Sequence, residues 1–278
     1  MPPPAEPKCP ALWHLGRDTT MNFSGKRVLV TGSTSGIGRA AAEMFLAAGA
    51  QVAINGVSAE DVAAVLHGMG GTRLVAAPGD VSTLEGCEAA VTAAIAGLGG
   101  LDCLVNNAGI VPLATFAEVT EAHWDSVINT NLRSAMFCTK FALNALRQSK
   151  GNVVMVSSAG ALMAGPTDAF VESVSKAGMI GLSRSLALEL AADGVRFNCV
   201  CPGYIDTPAL KARNEQSLGR IDASVSRATP LARTGTVKEC ASAILYAASE
   251  DAGYMTGSTL VADGGCHAQA SFGAAAIA

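Results

Sequence analysis

Glu172 and Lys176 stand four residues apart in the stretch FVESVSKAG, residues 170–178. At helical spacing the two side chains lie one turn apart on one face. The pair is either a solvated Glu→Lys contact in its favourable orientation or a carboxyl group and an amine set together for chemistry. A carboxyl beside an ammonium has a depressed pKa and stays ionised, which suits a general base and not a proton donor. Deep burial reverses that and keeps the acid protonated. A second chemical feature is TGSTSGIG, residues 31–38. Gly32 makes a tight turn, Gly36 leaves room for backbone to approach a pyrophosphate, and Gly38 lets a helix pack close to a strand. The helix N-terminus that follows offers free N–H groups and partial positive charge to phosphates.

These groups need elements to position them. Short β-rich runs at 27–31, 51–55, 73–78, 101–107, 152–158, 195–200 and 258–262 alternate with helical spacing at 36–48, from about 58, at 82–98, 121–148, 168–191 and 237–249. That alternation predicts right-handed crossovers and a parallel sheet covered on both faces, in one α/β domain. Ligands of such sheets bind outside the carboxyl ends of the strands, where the glycine loop lies. A stretch at 203–234 breaks the rhythm and reads as a loop.

Of the 278 residues, half are apolar and 15% charged, enough for a large core. The formal charge of −4 argues against a nucleic-acid or anionic-membrane surface, and no apolar run reaches the length of a membrane span. The eight cysteines form no CxxC pattern and the four histidines do not cluster with them, so no metal site is expected. The cysteines read as small buried hydrophobes of a reducing compartment, which places the chain in the cytoplasm. Residues 1–20 are Pro-rich at their start and lack a secretory pattern. They read as an N-terminal extension to a domain at 21–265, followed by a tail at 266–278.

Six motifs occur in order: TGxxxGIG at 31–38, DV at 80–81, NNAG at 106–109, NTNL at 129–132, PGYIDTP at 202–208 and DGG at 263–265. Together they resemble the short-chain dehydrogenase/reductase family over about residues 24–265. The resemblance implies a single Rossmann-type, doubly wound, seven-stranded parallel sheet and a bound nicotinamide dinucleotide. It implies that Gly32, Ser35, Gly36, Ile37 and Gly38 form the cofactor loop and that Asp80 and Val81 hold the adenine. Asn107, Ala108 and Gly109 would line the cofactor near the adenosine ribose. Pro202, Gly203 and Thr207 would sit by the nicotinamide carboxamide, and Lys176 would hold the other ribose. NAD and NADP both remain open. Gly56 and Val57 follow the second strand, where an acid would select NAD and a base NADP, and Ser35 is neutral.

The family's chemistry uses Asn, Ser, Tyr and Lys. Asn131, Ser158 and Lys176 match, with Ser157 as the neighbouring alternative, while the tyrosine position of YxxxK holds Glu172. The interval from Ser158 to Glu172 is about one residue longer than the pattern. None of the tyrosines, Tyr204, Tyr246 and Tyr254, is near enough in sequence to replace it. The expected activity is therefore NAD(P)-dependent oxidoreduction of a small alcohol or carbonyl compound with an atypical proton donor: Glu172, Ser158 or a relayed water. A dinucleotide-binding pseudoenzyme or sensor, and a lyase or isomerase with Glu172 as base, are the alternatives. Substrate would bind beneath a lid at about 204–233, which carries Lys211, Arg213, Arg220, Arg227 and Arg233 against Glu215 and Asp222. The resemblance also implies a homotetramer or homodimer, built on the helices at 121–148 and 168–191.

Overall fold

Val28, Leu29 and Val30 are fully buried, as a strand covered on both faces must be. In the computed structural model they form β1 (Arg27–Val30), an inner strand of the main sheet. The structure describes residues 21–163, 168–216, 225 and 228–269. The expected extension at 1–20 lies outside the described residues, as do 164–167 of the loop before Glu172 and 270–278 of the tail. So do 217–224 and 226–227 of the expected lid, which include Arg220, Asp222 and Arg227, and the side chain of Arg213.

The other early strands are β2 (Gln51–Ile54), β3 (Leu74–Ala76), β4 (Cys103–Asn106), β5 (Asn152–Val156) and β6 (Arg196–Pro202). Two short strands, β7 (Ile205–Asp206) and β8 (Gly235–Thr236), pair with each other, and β9 (Thr259–Ala262) closes the main sheet. The order is β3-β2-β1-β4-β5-β6-β9, with every pair parallel. The chain runs outward from β1 to one edge, returns to β4 and proceeds to the other edge. This is the seven-stranded, doubly wound arrangement expected from the sequence, and β1 and β4 mark its switch point.

Side-chain alternation assigns the two faces. Leu29, Leu104, Val153 and Met155 join a core with α3 (Leu84–Leu98), α5 (Ser134–Ser149) and α6 (Phe170–Glu189). Val28, Val30, Val105 and Val154 join the opposite core with α1 (Gly36–Ala47), α2 (Ala59–Met69) and the helix at Val237–Ala248. Ser58 and Thr83 cap α2 and α3 by accepting bonds from backbone N–H groups. Seven described cysteines are buried and unpaired, acting as small apolar fillers.

Two expectations change. The helix foreseen at 121–148 is α4 (Glu121–Ile128), a π-helical turn at Asn129–Arg133, and then α5. The wider turn sits at NTNL and turns Asn131 into the interior, where it is fully buried. The irregular stretch at 203–234 also contains β7 and a further helix, α7 (Pro208–Gln216). The helix at Val237–Ala248 is therefore α8, and a capping box of Thr236 and Glu239 starts it.

Opposite the ligand-binding end, Arg27 locks the start of β1 to the residue preceding β4. Its Nε and backbone N–H donate to Asp102 Oδ2 at 2.7 and 2.8 Å, and its Nη2 donates to Oδ1 at 3.1 Å. Burial pushes the Asp102 carboxyl up, but the hydrogen bonds and charge of Arg27 outweigh it and hold the carboxyl below its usual value. The folded chain thus favours the ionised acid. This contribution is present above the ordinary carboxylate range and is lost as pH falls through the lowered value. Asp102→Asn is expected to cost about 1.5–3 kcal/mol at neutral pH and to remove that part of the acid-side slope. Urea unfolding from pH 7 down to pH 2 checks both; a loss that stays equal across that range would contradict the linkage.

Candidate active site

The glycine loop explains how α1 comes so near the sheet. Gly32 and Gly36 have positive φ, 60° and 56°, which other residues adopt at a cost. A Cβ on Gly32 would lie 2.9 Å from Ala108 Cα. One on Gly38 would collide with Asn107 Nδ2 and the Gly32 carbonyl oxygen. Gly36 differs, since its nearest neighbour would be Thr207 Cγ2 at 3.6 Å. Its missing side chain leaves space beneath the segment after β6. Ser35 caps α1 with no side-chain bond, and no acid stands in the first turn. The first N–H groups, which a helix cannot satisfy internally, are therefore suited to an anion. These features fit the pyrophosphate of a dinucleotide.

Gly38→Ala is expected to cost about 1–3 kcal/mol through overpacking and to weaken dinucleotide binding on the order of tenfold or more. Thermal unfolding and calorimetric titration measure the two effects. Normal affinity in a destabilised variant would detach the loop from binding.

Asn107 ties the loop to β4. Its Nδ2 donates to the carbonyls of Thr31 and Gly32 at 2.9 and 3.1 Å, while Thr31 Oγ1 accepts from the N–H groups of Asn107 and Ala108. Asn55, after β2, accepts from Gly32 N at 3.0 Å and donates to the Ala77 and Gly79 carbonyls. A Cβ on Gly56 would crowd the Thr34 methyl group at 2.5 Å. Asp80 sits in the exposed turn after β3, its carboxylate accepting from Ser82 N, and Val81 is buried beside it.

At the carboxyl end of β5 the two serines have different surroundings. Ser157 Oγ donates to the Lys176 carbonyl at 2.8 Å and ties β5 to α6. Ser158 Oγ accepts from Gly160 N at 3.1 Å, at the start of a single 3-10 turn. A Cβ on Gly160 would lie 3.2 Å from Ser173 Oγ, 3.4 Å from Ser158 Oγ and 3.7 Å from Glu172 Oε2. The two hydroxyls and the carboxylate therefore flank one spot on the wall.

α6 begins at Phe170, so Glu172 is in its first turn and Lys176 in the next. Lys176 is only 6% exposed, and its ammonium donates to the Val156 carbonyl at 2.8 Å. The pair is thus not a solvated surface contact. Burial pushes the Lys176 pKa down, and the charge of Glu172 acts in the opposite direction. Behind them Asn131 Nδ2 donates to the Ile110 carbonyl and to Ser175 Oγ, while its Oδ1 accepts from Ile110 N. Ser175 in turn donates to the Glu172 carbonyl at 2.7 Å. This chain of bonds holds the first turn of α6 against the π-turn.

A cleft of about 1230 Å³ joins Ser158, Glu172 and Lys176 with Ile37, Asn107, Gly109, Pro202, Gly203 and Thr207. Asn131 stands behind its wall, while Gly32, Ser35, Gly36, Gly38, Asp80, Val81 and Ala108 lie outside its lining. Sequence reading missed the apolar lip Ile110–Pro112, which extends the NNAG motif, and missed Met163, Cys266 and Gln269. It placed Tyr204 only at the start of the lid and not as a substitute for the YxxxK tyrosine, whereas Tyr204 lines the same cleft as Glu172. Its place directly after Pro202 and Gly203 is the signal that was available. Gln269 Nε2 donates to the Ala228 carbonyl at 2.8 Å, joining the chain after β9 to the segment expected as a lid. Among the described residues no group of three His, Cys, Asp or Glu is placed to hold a metal ion.

The chain matches known proteins over most of its length. A family model described as enoyl-(acyl carrier protein) reductase matches residues 32–267. An uncharacterized oxidoreductase of Thermotoga maritima is 39% identical, covering 88% of this chain and 98% of its own. The 3-oxoacyl-[acyl-carrier-protein] reductase FabG of Escherichia coli is 35% identical, covering 89% and 99%. A solved structure from Brucella melitensis, described as a short-chain dehydrogenase/reductase of the glucose/ribitol dehydrogenase type, superposes with a TM-score of 0.82. It is 32% identical and covers 89% of this chain and 98% of that one.

Proposed function

The chain belongs to the short-chain dehydrogenase/reductase family, and on that premise we propose that it is an NAD(P)-dependent oxidoreductase with an altered proton-handling group. The observation that carries this reading is the meeting of Ser158, Glu172 and Lys176 in one cleft beside Gly203 and Thr207. The bound dinucleotide supplies or accepts hydride.

In this proposal the first turn of α1 receives the pyrophosphate, with Gly36 leaving room for it. Asp80 and Val81 flank the adenine, and Asn107, Ala108 and Gly109 support the adenosine side. Lys176 binds the nicotinamide ribose, while Pro202, Gly203 and Thr207 border the carboxamide. Asn131 acts as a positioning residue, because its amide bonds to Ile110 and Ser175 set α6 in place. Ser158 holds the reacting end of the substrate by its hydroxyl. Glu172 occupies the place of the family's tyrosine. As a carboxylate it accepts a proton readily and donates one poorly at neutral pH. The segment after β2 offers neither a carboxylate to the ribose hydroxyls nor a base to a 2′-phosphate, and the reading therefore admits NAD and NADP.

The test is calorimetry with both oxidised and both reduced nicotinamide dinucleotides, followed by an alcohol and carbonyl panel monitored by nicotinamide absorbance. At least one cofactor pair is expected to bind, with slow turnover of simple ketones. Failure of all four to bind would defeat the proposal. Tight binding with no hydride exchange on any substrate class would favour a dinucleotide sensor instead.

The assembly is proposed as a homotetramer or homodimer. Trp124 on α4, Met136 on α5, and Val174 and Leu188 on α6 are exposed apolar side chains on the helices concerned. A stable monomer in light scattering at micromolar concentration would defeat that part.

A further inference from the structure

Glu172 gives the cleft a chemical bias that the family's ordinary substrates do not exploit. Its Oε2 and the hydroxyls of Ser158 and Ser173 all lie within 4 Å of the position a Cβ on Gly160 would occupy, so the three groups border Gly160 on the cleft wall. Among the described lining residues the only charged side chains are Glu172 and Lys176. The Lys176 ammonium is anchored on the Val156 carbonyl at the end of β5 and is buried. Glu172 is half-buried at the cleft wall. Ile110, Val111, Pro112, Met163 and Leu210 supply an apolar surround. Low local polarity lengthens the reach of both charges, and the bias toward a cation comes from their placement, the ammonium being buried on the Val156 carbonyl while the carboxylate stands half-buried on the cleft wall.

Hydride addition to a ketone builds negative charge on oxygen and requires a proton. A nearby carboxylate opposes the charge and is a poor source of the proton. Hydride addition to an iminium has the opposite demands, because the substrate begins as a cation and ends as a neutral amine. We infer that the substrate is a nitrogen compound, a small iminium in the reductive direction and the corresponding amine in the oxidative one, with Glu172 as its counter-ion and Ser158 beside the reacting carbon–nitrogen bond.

This inference rests on the proposed oxidoreductase reading. The bookkeeping of the step closes without a proton donor. Hydride from a reduced nicotinamide dinucleotide forms the new C–H bond, and the π pair of C=N⁺ becomes the nitrogen lone pair. The substrate is reduced, the nicotinamide is oxidised, and no proton is exchanged. The transition state retains part of the positive charge, so the carboxylate favours it over free reactants. In the oxidative direction positive charge develops in the transition state, which the carboxylate stabilises directly.

The probes are 1,2-dimethyl-1-pyrrolinium, whose charge is permanent, and its neutral near-isostere 2-methylcyclopentanone. Calorimetry on the full-length protein, with and without each oxidised dinucleotide, gives the affinities. Nicotinamide absorbance with the reduced forms gives the rates. The expected result is at least tenfold tighter binding of the cation and at least 10²-fold higher kcat/KM for it. Glu172→Gln is expected to lose the binding preference, and Glu172→Asp, which keeps the charge, to retain part of it. Equal affinity for the two probes, or a cation preference unchanged in Glu172→Gln, would overturn the inference. If dinucleotides bind normally in that case, the oxidoreductase reading stands. Absence of dinucleotide binding with the cation preference intact would instead overturn the oxidoreductase reading, and the reduction step with it.

Discussion

Glu172→Tyr is expected to raise the kcat/KM for small ketones by about 10²–10⁴, the usual worth of general acid help. Ser158 Oγ borders the spot that Glu172 Oε2 also reaches, and the buried Lys176 ammonium stands one turn along α6. A phenol at position 172 would point from the same turn toward the same spot. An adjacent cation lowers a phenol's pKa, which brings it nearer the working pH as a donor. The substitution also removes a negative charge from the place where an alkoxide would form. Residue 172 is half-buried on a cleft of about 1230 Å³, so the larger ring has space. Steady-state rates on a ketone panel, with dinucleotide affinity measured in parallel, give the answer. A folded, cofactor-binding variant with no gain would show that Glu172 is not in the donor's place. Tyr204→Phe in the native background separates one competing source, because loss of residual ketone turnover there would identify the Tyr204 phenol as the donor.

The fold was readable because its signals are local. Each central strand is a short β-branched run and each crossover has helical spacing, so a parallel sheet covered on both faces follows from alternation, while the seven-stranded, doubly wound arrangement was implied by the family resemblance. The glycines were readable for the same reason. Gly32, Gly36 and Gly38 act on backbone conformation and close approach, which spacing reveals. What escaped depends on contacts between distant segments. The π-turn at Asn129–Arg133 is associated with Asn131 bonding to Ile110 and Ser175, neither of which is near it in sequence. β7 and β8 are two-residue strands separated by almost thirty residues, too short to have a period. Tyr204 is too far from position 172 in sequence to read as a replacement for the YxxxK tyrosine, yet it follows the end of β6 and lines the same cleft. Ser157 and Ser158 illustrate the limit most closely. The sequence offered both, and only the geometry shows that the first hydroxyl serves the α6 backbone while the second borders Glu172.

Lys176→Met is expected to lower dinucleotide affinity at least tenfold and turnover at least 10²-fold, while leaving Tm within about 5 °C of native. Stability and function respond to different energies at this position. Lys176 is 6% exposed and burial pushes its pKa down, so carrying the ammonium there opposes folding. The unfolded chain binds that proton more tightly than the folded one. Native stability therefore rises with pH between the lowered folded value and the ordinary lysine value, about 10.4. Methionine matches the lysine stem in volume and removes the desolvated charge, which is favourable. It also leaves the Val156 carbonyl without its 2.8 Å donor, which is unfavourable by roughly 1–3 kcal/mol. The opposing terms are of similar size, so stability changes little and the alkaline rise flattens. Function has no such compensation. A thioether cannot donate to a ribose hydroxyl, and it removes the cation that stands beside Glu172. Calorimetric titration with the dinucleotides, thermal melts from pH 7 to pH 10, and turnover of the best substrate give the three readouts. A large fall in Tm with normal affinity in the surviving folded protein would make Lys176 a strut between α6 and β5. Retained stability with lost affinity is the signature of a group held in a buried position for its ligand.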